Sequence, residues 1–99
     1  MIIIRKNVDP LFELGTVLAT PGAMSLLEET ETHPDELLSR HQTGDWGDVD
    51  DHDRGVNFQS VEYGMRIMSV YRVGDRNEVI WVITEANRSA TTLLLPDEY

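Results

Sequence analysis

Met65-Arg66-Ile67-Met68-Ser69-Val70-Tyr71-Arg72-Val73 decides the fold class of this chain. Ile67, Ser69, Tyr71 and Val73 fall on one side of an extended backbone, and Arg66, Met68, Val70 and Arg72 on the other, the period-two alternation of a strand. Gly74-Asp75-Arg76-Asn77 follows as a turn cluster. Val79 to Thr84 is then a β-branched and aromatic run whose near-continuous hydrophobicity suits a central strand. The two segments predict an antiparallel hairpin. Glu85 to Ser89 reads as a second turn, and Thr91 to Leu95 as a third strand, ended by Pro96, which has no amide proton to give a ladder.

Upstream of Met65 the signals are helical. Thr20 precedes Pro21-Gly22, a hydroxyl cap followed by a proline whose fixed φ suits a first helical turn, and Met24, Leu26 and Leu27 supply an apolar stripe. A helix from Pro21 to Glu29 follows. His33-Pro34-Asp35-Glu36 repeats the device, with two carboxylates in the positive first turn, then Leu37-Leu38, and Gly44 as terminator, which predicts a helix over 34–42. Asp50 with Asp53 can cap a third helix carrying Val56, Phe58 or Gln59 and Val61 toward Gly64, although Gly55 weakens its interior. Residues 2–5 read as a short strand, and Val17-Leu18-Ala19 as a short extended run. The expected fold is α+β, one domain over 1–99, with short N-terminal helices packed on a three- to four-stranded antiparallel meander.

The chain has 99 residues, 40% of them hydrophobic, no cysteine and a formal net charge of -10. Without cysteine there is no disulfide framework, thiolate zinc site or cysteine nucleophile, and a reducing compartment, the cytoplasm, is the expected location. Met1-Ile2-Ile3-Ile4 runs straight into Arg5-Lys6, too short for a signal core and far below the ~18 residues of a membrane span. No membrane partner is expected.

Charge is unevenly placed. From Glu28 to Asp53 ten carboxylates face the single Arg40, whereas the remainder of the chain balances eight carboxylates against seven cations. Such a flank repels phosphate backbones, disfavours direct duplex-DNA binding and attracts a basic protein partner.

Gly44-Asp45-Trp46-Gly47-Asp48 is the most distinctive short motif. It reads either as a structural turn with Trp46 beneath the helices, or as an exposed tryptophan anchor for a partner, since Trp is enriched in interface hot spots. In the second reading Asp45, Asp48, Asp50, Asp51 and Asp53 form the partner-binding flank. A calcium loop starting at Asp48 fails at His52, Asp53 and Gln59, and no paired-histidine zinc motif is present, so neither a metal nor a cofactor is expected. One set could support metal-free catalysis: His41 as general acid or base, Glu85 as opposing base, Arg88 as a clamp on a developing phosphorane, and Thr91 and Thr92 as hydroxyl donors. These types suit RNA cleavage through the ribose 2′-OH, and helices followed by a meander is also the layout of barnase-like ribonucleases. The bland alternative pairs Glu85 with Arg88 across a turn and places His41 near a helix C-terminus.

Leu14-Gly15, Ala19-Thr20-Pro21-Gly22-Ala23, Arg40-His41, Gly44 to Asp48, Asn57, Trp81 to Ala86, Arg88-Ser89, Thr91-Thr92, Leu94-Leu95-Pro96 and Tyr99 together resemble a family of short uncharacterised "plasmid-related" proteins of bacterial plasmids and integrative elements. Asn87 stands where that family commonly carries Asp. The resemblance implies a setting in mobile DNA, with counter-defence, addiction modules or transfer control as its context.

The leading expectation is therefore a small acidic, non-enzymatic interaction protein of a mobile element that binds a basic protein surface, as a counter-defence or nucleic-acid-mimic inhibitor. The alternative is a metal-independent small ribonuclease or ribonuclease-like toxin, for which alone RNA is the partner. A third is a subunit that forms a homodimer through an unpaired edge of the meander.

Overall fold

The computed structural model describes residues 1–2 and 9–99, in the order β1 (Thr16–Ala19), α1 (Pro21–Glu29), α2 (Pro34–Gln42), α3 (Asp51–Tyr63), β2 (Ile67–Val73), β3 (Glu78–Thr84), β4 (Ala90–Leu94) and a 3₁₀ turn at Pro96–Glu98. The architecture is α+β. The strand expected at 2–5 falls on residues that, but for Ile2, lie outside the described ones.

Each helix starts and stops where local chemistry directs. Thr20 accepts from the Ala23 amide at 3.1 Å, with Pro21 next in line, and Thr30 closes the helix by donating its hydroxyl to the Leu26 carbonyl. His33 caps α2 through Nδ1, which accepts from the Asp35 amide, and Asp35 and Glu36 occupy the electropositive first turn. At the other end Gly44 takes φ +88° and the Asp45 amide returns to the Arg40 carbonyl, the six-to-one bond of a Schellman ending. Asp50 caps α3 by accepting from the Asp53 amide, and Gly64, at φ +69°, ends it.

The strands run in the order β1-β4-β3-β2. β2, β3 and β4 form the expected meander, with Val70 opposite Trp81 and Val82 opposite Leu93. β1 lies parallel to β4, from Thr16 opposite Ala90 to Ala19 opposite Leu93, so the sheet is mixed rather than antiparallel throughout. The reason is connectivity. The three helices lie between β1 and the meander in sequence, and a chain that crosses one sheet face through helices can return in its original direction.

Ile67, Ser69, Tyr71 and Val73 all point inward, as their alternation predicts. Leu26, Leu27, Leu37 and Leu38 pack on Tyr71, Val73, Ile80, Val82 and Leu93 to make the main core. A smaller cluster at the other end joins Phe12, Trp46 and Ile67 beneath Val49 and Val61.

The two sheet edges differ. The outer edge of β2 is covered: Gly47 bridges Val70, the Val70 amide donates to Trp46 O, the Asp48 amide donates to Val70 O, and the Asn57 side chain brackets Met68, donating to its carbonyl at 2.8 Å and accepting from its amide at 3.2 Å. Among the described residues no strand pairs with the outer edge of β1.

Candidate functional site

His41 sits in the last turn of α2, 0% exposed, wedged edge-on between Phe12 and Trp46. Its Nδ1 lies 2.6 Å from Ser69 Oγ and its Nε2 lies 2.9 Å from Thr84 Oγ1. Thr84 Oγ1 is 2.7 Å from Thr91 Oγ1, and Thr91 donates to the Leu14 carbonyl at 2.8 Å. That last acceptor sets the direction of the row. A carbonyl can only accept, so Thr91 spends its proton on Leu14 and accepts from Thr84, Thr84 in turn accepts from His41 Nε2–H, and Ser69 donates to Nδ1. The imidazole is thereby satisfied as the neutral Nε2–H tautomer. Burial, with the nearby Arg88 charge, lowers its pKa from the usual 6.5 to about 3.

The residues proposed for catalysis separate in space. His41 and Thr91 belong to this buried row. Thr92, next along β4, points to the opposite sheet face, and Glu85 is solvent-exposed in the β3–β4 turn. Arg88 approaches the cluster, its guanidinium 5.6 Å from the Phe12 ring centre, but its hydrogen bonds go to the carbonyls of Ser60, Met65, Glu85 and Ala86. It ties the end of α3 to the β3–β4 turn. No Glu85–Arg88 side-chain ion pair forms among the described residues. A general acid–base must reach its substrate. An enclosed, neutral, doubly bonded imidazole does not.

The partner-binding flank is also rearranged. Trp46 is 2% exposed, stacked with Phe12 and edge-on to Phe58, so the exposed-anchor reading is corrected to the structural one. The cause is the second core cluster, which needs a large aromatic under α3. Gly47 shapes the turn that delivers it, with φ +76° and Val70 O only 2.0 Å from where a Cβ would stand.

Asp45 accepts two hydrogen bonds from Arg40, which hold its carboxyl below the usual range, and Arg40 lies over the Tyr71 ring. Asp48 pairs with Arg72 at 2.8 Å and Asp51 with Arg54 at 2.9 Å, while Asp50 is the α3 cap. Asp53 is exposed in the first turn of α3. Three of the five aspartates thus already face a guanidinium.

Carboxylates that form no ion pair among the described residues gather elsewhere. β1, β2 and β4 finish, and β3 begins, at one end of the sheet, because β1 is parallel to β4 and the meander alternates. There the C-terminal turn of α1 faces the β2–β3 turn across a hollow of about 500 Å³ lined by Glu29, Glu31, Asp75 and Glu78, with Arg76 its single cationic lining residue among the described residues. Asp97 and Glu98 lie at the same end, Glu98 bound to the Thr20 hydroxyl and the Leu95 amide.

Sequence reasoning missed Ser69 and Thr84 as partners of His41, and the Leu14 carbonyl as the acceptor for Thr91. The available signal was a hydroxyl at two inward strand positions, each of which needs a polar partner once buried. Among the described residues no three His, Asp or Glu side chains converge as metal ligands would, and no helix is long and apolar enough to cross a membrane. Comparison with protein-family models, curated proteins and solved structures returned no match.

Proposed function

We propose that this chain is a small acidic, non-enzymatic interaction protein that docks a basic protein surface, with the β2–β3 end of the sheet and the adjoining end of α1 as the contact. The observation that carries this reading is the hollow where, among the described residues, Glu29, Glu31, Asp75 and Glu78 stand against Arg76. Carboxylates that outnumber the cations beside them raise a local negative potential, which speeds association with a cationic surface and makes it sensitive to salt. The nucleic-acid channel of a host defence or DNA-processing protein has the required charge, in keeping with the mobile-element setting that the sequence resemblance implies. His41 and Arg88 then serve the scaffold rather than a reaction.

The test is a pull-down from host lysate at low and moderate salt, with wild type beside the triple reversal Glu29→Lys, Glu31→Lys, Glu78→Lys. The reading requires a basic partner that is lost in the triple variant and weakened by salt, and kept in Asp48→Asn. Failure to recover a basic partner, or equal recovery by the triple variant, refutes it.

A further inference from the structure

We propose that the outer edge of β1 accepts an extended, basic segment of the partner as a fifth strand. This rests on the reading of the chain as an acidic docking protein and adds the geometry by which the partner is held.

Exposed strand edges are templates for pairing, and proteins commonly cover or charge them. The edge of β2 is covered by Gly47, Asp48 and the Asn57 amide. β1, Thr16-Val17-Leu18-Ala19, carries no charge and no proline. Val17 is 44% and Leu18 50% exposed, and as neighbours they project to opposite faces, so the strand is open on both.

Backbone polarity gives the register. The Thr16 amide donates to Ser89 O and the Thr20 amide to Leu93 O, both toward β4. Strand amides alternate sides, so Leu18 also faces β4, whereas Val17 and Ala19 aim their N–H and C=O groups outward. Two residues with outward groups and apolar side chains are the pattern that strand addition uses: main-chain bonds supply affinity, and alternate side chains supply choice.

Charge selects the occupant. The chain carries a net charge of -10, which opposes a second copy. β1 also ends at the acidic end of the sheet, where Glu98 accepts from the Thr20 hydroxyl, with Asp97 farther along near the start of β3 and the Glu29–Glu78 hollow beyond it. A segment alternating β-branched and cationic residues can pair with Val17 and Ala19 and carry its charge onto those carboxylates.

The test uses a capped Lys-Val-Lys-Val-Lys-Val peptide and its counterpart N-methylated on alternate residues, equal in charge but deprived of ladder donors on one edge. Binding is measured by titration calorimetry. We expect wild type to prefer the unmethylated peptide by about tenfold, the size expected for losing one or two hydrogen bonds. Val17→Pro should erase that preference without disturbing the bonds to β4, and Val17→Lys, which keeps the amide but repels the peptide, should also bind weakly. Equal binding of both peptides to wild type overturns strand addition while leaving acidic docking intact. A preference for the unmethylated peptide that survives the Glu29/Glu31/Glu78 reversal at undiminished affinity overturns the acidic reading instead. Sedimentation closes the two other occupants: a wild-type dimer dissociated by Val17→Pro assigns the edge to a second copy, and peptide binding seen only after deletion of residues 1–8 assigns it to the chain's own N-terminus. Either result overturns the proposal.

Discussion

His41 Nε2 lies 2.9 Å from Thr84 Oγ1, joining the last turn of α2 to the end of β3 across 43 residues of sequence. Through Ser69 and Thr91 the same contact reaches β2 and β4. Three adjacent strands are thus fastened to one helix by a row of neutral hydrogen bonds.

That row makes stability depend on pH in a defined window. The folded protein resists protonating His41, whose pKa is depressed to about 3, whereas the unfolded chain binds a proton near the ordinary 6.5. The unfolded state therefore holds more protons as pH falls below 6.5, and stability drops from there, by up to about 1.4 kcal/mol per pH unit, until the folded pKa is reached. Urea denaturation at pH 7, 6 and 5 should show the decline in wild type and a flat profile in His41→Gln. Asp45, held low by Arg40, adds its own loss only below the usual carboxylate range, so the interval from 6.5 to 5 isolates the histidine.

Thr84→Val keeps the shape of the side chain and removes the hydroxyl, stranding the His41 donor in a site without water access. A loss of about 1–3 kcal/mol is expected. Thr92→Val, on the opposite face of β4, should cost less than about 1 kcal/mol. Equal midpoints for the two variants in urea would contradict the bonding scheme.

Gly47→Ala sets a methyl group against a backbone oxygen, Val70 O, at a φ of +76° that disfavours side chains. The turn must shift, releasing both the β2 edge and Trp46, and a loss above about 3 kcal/mol is expected. Gly55→Ala, in the middle of α3 with nothing near its added carbon, should instead raise stability by about 0.5–1 kcal/mol. Thermal melts of the two variants should move in opposite directions.

Fluorescence checks the burial of Trp46. In Trp81→Phe the remaining indole is enclosed by Phe12, His41 and Phe58, so its emission should be blue-shifted and resist acrylamide until the protein unfolds. Emission like that of free tryptophan in the folded variant would restore Trp46 as a surface anchor.

Much of the architecture was legible because it is set over short distances. Thr20-Pro21, His33-Pro34 and Asp50 mark helix starts by bonding amides two or three residues away, and Gly44 and Gly64 mark ends through a backbone conformation that other residues avoid. Ile67 to Val73 announces its buried face by alternation. The candidate site was less legible. His41 was singled out by its chemical type, but Ser69, Thr84 and Thr91 come to it from three strands, and no spacing in the chain records that meeting.

By itself, then, the sequence determined the helix boundaries, the meander and a strong negative charge, all properties of neighbouring residues or of composition. Only the tertiary structure decided that β1 joins β4 in parallel, that Trp46 turns inward, and that Asp48 spends its charge on Arg72, 24 residues away, while Glu29 and Glu31 meet Asp75 and Glu78 across a hollow. The reason is physical: whether a carboxylate is neutralised or an indole enclosed depends on what the folded chain brings within a few ångströms of it, and packing makes that choice among residues far apart in sequence.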